Sequence, residues 1–517
     1  MENKDSQSGA DSNEDNSKKI KVKGDDLTRV NIYSYGIGHF MNDLCASCWF
    51  FFLSYYLKDI IKIGEYNAGY VMLAGQIADA LATPTVGILS DKTNTSLGKR
   101  TPWYIAGTIL VSVTFTFIFV RIIPDDVGDS AILIYYIACA SLFNIGWAAV
   151  QVSHMALLPQ ISLNKKNKDL MNRIRTGFTF LAQTLAILVS FIVFSLVSNK
   201  ISQYETLAIS CVAIGAVTSL LFLFLCREMI LAKNIPVYLE TMRNSLLDKN
   251  QNSNKNIQTE NTKSTDQETI TWTFWLKKVD FYVYMLVYMF VRLSINVTQS
   301  VVPFYMEYML KFQKTQDGGT PVEISIVLLI STTGSIFNST ILQSLIERRI
   351  TNPKKNRLIM ILIATIFVST GCIPMFFLNK EFRYPIYGLA FFFGVGFSQG
   401  LSTVGNLIND VVGSKGAQGA FVYGAYSFSD KLSCGLVLAL FIPIASDENV
   451  LKFSMPIFPP VSLVCAFIIV WMRGTCKENE EKEYENTFDK AESNLKNKKS
   501  FIDDSRFTFI SHNKSNV

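Results

Sequence analysis

The sequence predicts an all-α membrane protein with twelve transmembrane helices in two six-helix halves. Of its 517 residues, 49% are hydrophobic and only 17% are charged, whereas soluble domains carry about 25% charged residues. Apolar runs of about 20 residues, the length that crosses a bilayer as a helix, recur along most of the chain. One long polar stretch separates these runs into two groups of six.

Polar segments at both ends and in the middle divide the chain. Residues 1–30 lack the early apolar run of a signal peptide and predict a disordered cytosolic tail. Residues 227–272 are rich in Asn, Lys, Thr and Gln, which predicts a disordered cytosolic linker. Residues 474–517 predict a second disordered cytosolic tail. Six-helix bundles are therefore expected at 31–226 and 273–473.

Each bundle contains six runs of spanning length. In the first bundle the predicted helices are 31–57, 66–90, 103–122, 132–158, 172–198 and 206–226. In the second bundle they are 277–310, 322–347, 356–378, 383–410, 418–445 and 455–473.

The two halves resemble each other weakly where their first helices end. The first span ends in SYYLKD (54–59) and the seventh in EYMLKF (307–312). Aligning these ends places Asp43 opposite Asn296 and His39 opposite Arg292. Parallel six-helix halves related by an axis along the membrane normal are the plan of the major facilitator transporters.

The distribution of Lys and Arg predicts the orientation in the membrane. These residues are concentrated in short loops on the side of the termini, for example Lys99, Arg100, Arg175, Arg348 and Arg349, and acidic residues dilute them on the other side. Both termini are therefore expected in the cytosol. The net charge of +6 is modest and spread over tails and loops, which excludes a nucleic-acid module. Three His and nine Cys are too scattered for a metal framework, so neither metal nor cofactor is expected.

The most specific local motif is GQIADALATPTVGILSDKTNTSLGKRTPW at 75–103. Gly87 and Asp91 are four residues apart on one helix face, and Gly87 is expected to allow a close helix approach. Asp91 is placed to cap or pair with the basic turn Gly98-Lys99-Arg100. The pattern G-x-x-x-D followed by G-[KR]-[KR] is typical of a major facilitator gating loop, and the alternative is an ordinary basic loop.

Ionisable side chains inside the spans are expensive in lipid and usually face a cavity or a partner. Asp43, Asp79, Arg292 and Lys431 lie near mid-span, where they indicate either a functional site or structural ion pairs. A solvated helix end explains three other acids: Glu307, Asp410 and Asp430.

Histidines and amides add uncharged polar groups at similar depth. His39 and His154 are candidates for a proton relay because imidazole titrates near neutrality, although lone histidines are more often structural. Gln151, Asn296 and Gln299 are candidates for hydrogen bonds to a solute.

At 75–103 the sequence resembles the glycoside-pentoside-hexuronide:cation symporter branch of the major facilitator superfamily, to which melibiose permease belongs. Four further segments resemble a narrower group of major facilitators that imports cysteine into lysosomes and melanosomes. These segments are YGIGHFMNDLCASCWFFFLSYYL (35–57), NIGWAAVQVSHMALLPQI (144–161), VYMFVRLSINVTQS (287–300) and GAFVYGAYSFSDKLSCGL (419–436).

The resemblance to melibiose permease implies roles for individual residues. The sugar-contacting acid of the permease corresponds to Asp43, its first cation-binding acid to Asp79 and its cation-site lysine to Lys431. Two other permease acids correspond to Thr83 and Gln151, and sodium favours several oxygen ligands. Asp79 and Lys431 then remain as a charge pair suited to proton exchange or to structural locking.

Together these patterns predict a secondary-active transporter, not an enzyme, that moves a small molecule across the bilayer by alternating access. Its cavity is expected to be lined by Asp43, Gln151, Arg292, Asn296 and Gln299. Arg292 and Asp43 offer partners for a carboxylate and an amine, which favours a zwitterion, and the resemblance implies cysteine imported into lysosomes or related organelles.

Two alternatives remain from the sequence. One is a proton- or sodium-coupled sugar symporter of the plasma membrane, and the other is a transport-dead membrane scaffold. In each case a monomer that binds no nucleic acid is expected.

Overall fold

The computed structural model describes residues 27–124, 127–162, 164–232, 272–312, 319–350, 353–412 and 420–474. Most of the two predicted tails and of the predicted linker lies outside these described residues, so their disorder and the domain division stay predictions. The described chain is helical apart from its loops and one isolated β-bridge between Thr95 and Gly98.

The first half begins with a broken helix and continues with long ones. In chain order its helices are α1 (Arg29–Ile37), α2 (Phe40–Cys48), α3 (Glu65–Lys92), α4 (Thr101–Phe119), α5 (Asp129–Ile161), α6 (Lys165–Leu196), α7 (Lys200–Leu225) and the short α8 (Glu228–Ala232). Two π-helical turns, Trp49–Leu53 and Tyr56–Ile60, follow α2 and complete the first span.

The second half repeats this plan. Its helices are α9 (Trp272–Leu276), α10 (Val279–Phe304), α11 (Val322–Phe337), α12 (Gln343–Arg349), α13 (Pro353–Cys372), α14 (Ile386–Val412), α15 (Ala420–Phe441) and α16 (Glu448–Gly474). A π-helical turn, Tyr305–Met309, follows α10, and another, Asn338–Leu342, joins α11 to α12.

Ten helices of the described chain are long and apolar enough to cross a membrane. The other two predicted spans are also helical but differ in kind. The first is divided between α1 and α2, and α14 has the length but carries Ser398, Gln399 and Thr403 among its apolar residues. Polar residues and helix breaks of this kind lower the hydropathy of a span, and in a membrane they usually face a cavity or another helix.

The first and seventh spans end in the same backbone geometry. Ile61 N–H donates to the Tyr56 carbonyl at 2.9 Å, and Leu310 N–H donates to the Tyr305 carbonyl at 3.1 Å. The next residues, Lys62 and Lys311, have positive φ angles of 58° and 51°. This shared geometry corrects the repeat alignment by about one helical turn. It places Asp43 opposite Arg292, not opposite Asn296.

The halves pack along two helix pairs, α3 with α15 and α6 with α11. Gly69 of α3 lies against the α15 backbone, because a Cβ there would be 2.9 Å from the Ala439 carbonyl oxygen. Across the other pair, the Ser190 and Ser325 hydroxyls lie 2.8 Å apart. Small residues allow these close crossings.

Further contacts join the halves where the first and seventh spans end, which we call the closed end. Tyr55 donates to the Glu307 carboxylate and Tyr308 donates to the Asp59 carboxylate. Lys58 Nζ donates to the carbonyl oxygens of Ile442 and Pro443 at 2.6 and 3.0 Å. We call the opposite end, which carries the 93–100 loop, the loop end.

Candidate functional site

An ion pair between Asp79 and Lys431 joins the two halves in the middle of the bundle. Both side chains are buried, and Lys431 Nζ contacts Asp79 Oδ2. Lys431 Nζ also lies 3.9 Å from the centroid of the Trp147 ring. The Thr83 hydroxyl donates to Asp79 Oδ1 at 3.1 Å. The structure therefore brings together two residues that are distant in sequence and that the resemblance assigns to one site.

The residue before Lys431 faces its own half. Asp430 accepts from Arg292 Nε at 2.9 Å and from Asn296 Nδ2 at 3.3 Å. Its carboxylate is 1% exposed and lies in the interior of α15, so the expectation of a solvated helix end is wrong. Two consecutive residues of α15 thus neutralise charges in different halves: Asp430 pairs with Arg292, and Lys431 pairs with Asp79.

Asp43 forms a separate cluster in the first half. Its Oδ1 lies 2.9 Å from His39 Nδ1, and its Oδ2 accepts from the Thr179 hydroxyl at 2.7 Å. Asp43 and Arg292 occupy equivalent positions of the repeat, but each is neutralised within its own half. The Asp43 and Arg292 side chains do not contact each other.

A residue that the sequence reasoning assigned to a basic loop belongs to this cluster. Arg175 lies within α6, one turn before Thr179, whose hydroxyl donates to Asp43. Its Nε is buried and has no hydrogen-bond acceptor among the described residues. The signal for Arg175 was its position inside the predicted fifth span.

The two histidines lie side by side near Asp43. Their ring centroids are 5.7 Å apart. His154 is buried, stacks on Tyr35 and has its Nε2 2.8 Å from the Tyr35 carbonyl oxygen, while its Nδ1 has no partner in the described part of the chain. Asp43 hydrogen-bonds to His39, whereas His39 and His154 are ring neighbours with no hydrogen bond between them among the described contacts, so a proton relay through both stays a prediction.

A cavity lies between the halves on the closed-end side of these charges. Four aromatic rings line it: Phe51, Phe180, Phe393 and Phe397. Seven neutral polar side chains also line it: Gln183, Thr298, Gln299, Ser331, Thr332, Ser335 and Ser398. Of the five residues predicted to line the cavity, Gln299 does so, whereas Asp43, Arg292 and Asn296 lie in the charged clusters and Gln151 is half-buried on α5.

The predicted gating loop is bound by an acid that the sequence reasoning missed. The Glu228 carboxylate accepts the backbone N–H groups of Lys99, Arg100 and Thr101 at 2.7, 3.0 and 2.8 Å. These groups form the N-terminus of α4, where a carboxylate is favourable. Arg100 in turn contacts Asp91, as predicted for that turn.

The two glycines of this motif are expected to respond differently to substitution by alanine. Gly98 has φ of 112°, and a Cβ there would lie 2.3 Å from Glu228 Cδ. The prediction of close packing at Gly87 is wrong, because its Cβ would lie 4.0 Å from Val152. Gly98→Ala should destabilise the protein by about 1–3 kcal/mol. Gly87→Ala should leave the unfolding temperature in detergent unchanged or raise it slightly, because alanine is the better helix former. Equal unfolding temperatures for the two variants would contradict this account.

Comparisons with known proteins identify the family and agree with the fold. A family profile described as MFS/sugar transport protein matches residues 34–446. The chain is 29% identical over 426 residues to major facilitator superfamily domain-containing protein 12 of Equus caballus, covering 78% of this chain and 83% of that protein. A match of 29% over 154 residues covers 29% of this chain and 29% of sodium-dependent lysophosphatidylcholine symporter 1 of Mus musculus.

A solved structure shares the fold at low sequence identity. The xylose transporter XylE from E. coli, in an inward open conformation, superposes with a TM-score of 0.54 at 14% identity. The superposition covers 85% of this chain and 94% of XylE.

Proposed function

This chain belongs to the MFS/sugar transport protein family of major facilitators. Within that family we propose that it moves a small zwitterionic amino acid across a membrane, with cysteine as the leading candidate. The predicted major facilitator fold is confirmed, and the chain is a multi-pass membrane transporter, not an enzyme. Substrate, coupling ion and organelle are the proposed parts.

One observation carries the zwitterion proposal. Arg175 holds a buried Nε without a partner in the described chain, and it lies on α6 one turn before Thr179, whose hydroxyl donates to Asp43. A guanidinium presents several donors in a fork that matches a carboxylate. An acid close to such a group offers an acceptor for an ammonium. The pair therefore fits the two charges of an amino acid better than the hydroxyls of a neutral sugar.

Alternating access is supported by how the halves meet. The closed end is joined by hydrogen bonds between side chains of the first and seventh spans, such as Tyr55 to Glu307. These bonds involve few residues on each half, and Asp79 with Lys431 crosses the interface at mid-depth. We propose that the closed-end contacts break when the binding site turns away from the cytosol, and that the ion pair couples this step to a proton.

The proposal is tested by uptake of labelled solutes into proteoliposomes with an imposed pH gradient. Labelled cysteine should accumulate, other amino acids should compete, and sugars should not. Saturable uptake of a sugar would favour the symporter alternative, and no uptake of any solute by folded protein would favour the scaffold.

Transport is expected to be independent of sodium. Asp79 is already bound by Lys431, and the resemblance puts neutral Thr83 and Gln151 where a sodium-coupled relative has acids. Too little negative charge remains to offset the dehydration of sodium. Replacing sodium by choline at fixed pH should leave the initial uptake rate unchanged. Saturable stimulation by millimolar sodium would contradict this and support the sugar symporter.

The location follows from the resemblance to cysteine importers of lysosomes and melanosomes. We propose a lysosomal or lysosome-related membrane with both termini in the cytosol. A fluorescent tag on either terminus should colocalise with a lysosomal membrane marker and be degraded by protease added to intact organelles. A protected tag on intact organelles would reverse the orientation.

A further inference from the structure

The cavity between the halves holds two amides that the protein itself does not use. Gln183 of α6 and Gln299 of α10 line it from opposite halves. Neither amide hydrogen-bonds to another residue in the described part of the chain, whereas the Thr298 hydroxyl donates to the Ser294 carbonyl at 2.6 Å. Each unused amide offers two donors and an acceptor. This combination indicates a ligand with uncharged polar groups.

The rest of the lining sets the character of that ligand. Phe180 and Phe397 contribute rings, and the lining contains no charged side chain among the described residues. A charged group buried here would have no partner to offset its loss of hydration. The cavity therefore suits an uncharged group that is partly apolar and partly able to form hydrogen bonds.

Helix geometry gives the distance from the charged cluster to this cavity. Thr179 binds Asp43, and Gln183 lies one turn further toward the closed end of α6. At a rise of 1.5 Å per residue the separation is about 6 Å. The thiol of cysteine lies only about 3 Å from its Cα at ordinary bond lengths. An amino acid held at Asp43 and Arg175 needs a longer side chain to fill the cavity.

We propose that this cavity is the side-chain subsite of the transporter, and that it takes uncharged side chains about twice as long as that of cysteine. The inference rests on the proposed amino-acid function and extends it to a substrate class. S-alkylated cysteines and neutral amino acids of similar length belong to this class. Cysteine occupies the charged cluster and leaves the subsite to water.

A series of S-substituted cysteines tests the subsite by competition with labelled cysteine in proteoliposomes of the full-length protein. From cysteine to S-methyl- and S-propylcysteine, the inhibition constant should fall by up to about fourfold per added methylene. S-carboxymethylcysteine has a comparable length but a negative charge, and it should compete at least tenfold more weakly than S-propylcysteine. A steady rise of the inhibition constant with each added carbon would overturn the subsite.

Variants of the amides test the polar part of the cavity. S-(2-hydroxyethyl)cysteine and S-propylcysteine have similar shapes, and the hydroxyl compound alone gains from an amide. Gln183→Leu should raise the inhibition constant of the hydroxyl compound relative to that of S-propylcysteine by about tenfold. This is the effect of losing roughly one hydrogen bond between the ligand and the amide. Thr184→Val is the matched control, because the Thr184 hydroxyl donates to the Phe180 carbonyl within α6 at 2.8 Å. Equal ratios in both variants would overturn the role of the amide.

These outcomes are separable from failure of the proposed function. If folded protein transports no amino acid, the proposed function fails and the subsite fails with it. If cysteine is transported and elongated analogues do not compete, the function stands and the subsite alone is wrong.

Discussion

Neutralising Asp79 or Lys431 alone is expected to remove most of the folded protein, and neutralising both together to restore much of it. Each residue is buried and each is the charged partner of the other. A buried charge without a partner costs about 3–5 kcal/mol, whereas replacing the whole pair is often neutral. Asp79→Asn, Lys431→Met and the double variant should be compared by the yield and thermal unfolding of the purified protein.

The Arg357–Asp410 pair at the loop end provides a matched control. Its side chains are 19% and 44% exposed, and ion pairs of this kind contribute about 0–1 kcal/mol. Arg357→Gln and Asp410→Asn should therefore change stability little, singly or together. If the double Asp79/Lys431 variant is only the sum of two severe single variants, the two residues do not stabilise each other.

Uptake by the restored double variant separates two roles of the pair. A structural lock predicts that uptake returns together with the folded protein. A coupling site predicts folded protein that equilibrates cysteine but no longer accumulates it against its gradient. The second result is expected if a proton is transferred at Asp79.

The fold could be predicted from the sequence because lipid imposes simple constraints. Apolar runs of spanning length were sufficient to place the helices, and ends such as Lys92 and Leu196 lie within a few residues of the predicted ones. The repeat register was not predictable in the same way. Its sequence signal, a shared Leu-Lys pair, aligns the halves about one turn away from the equivalence that the matching π-helical turns at Tyr56–Ile60 and Tyr305–Met309 establish.

The charged residues of the site were predictable as a set but not in their pairing. Burial cost alone singles out Asp43, Asp79, Arg292 and Lys431. Which acid meets which base depends on helix rotation, and a change of one residue along α15 moves the contact from Arg292 in one half to Asp79 in the other. Only the Asp79–Lys431 pairing had a sequence argument, namely the resemblance.

Glu228 and Arg175 were not predicted, because their contacts are with residues that are distant in sequence. Glu228 follows the last predicted helix of the first half and has no local pattern that predicts its contact with the 98–101 turn. Arg175 was counted among cytosolic charges, since a base near a helix end usually reaches water. Close packing of α1 at Gly36 against α6 directs this region inward, because a Cβ at Gly36 would lie 2.5 Å from Ile174.

Replacing Arg175 is expected to weaken substrate binding strongly while leaving the protein folded. The Arg175 Nε donates to no described residue, so removing it leaves no described protein acceptor without its donor. Arg175→Lys keeps the charge and loses the fork. A lost hydrogen bond to a charged group costs about 1.5–3 kcal/mol, which is a rise of roughly tenfold to a hundredfold in the KM for cysteine.

Arg292 gives the contrasting result, because its Nε donates to buried Asp430 at 2.9 Å. Arg292→Gln should lower the amount of folded protein, and adding Asp430→Asn should recover it, as for a structural pair. The KM of the recovered double variant then decides between the two arginines. A KM near that of the unchanged protein would indicate that Arg175 binds the substrate carboxylate. A KM raised as much as in Arg175→Lys would indicate that Arg292 binds it, as the sequence predicts.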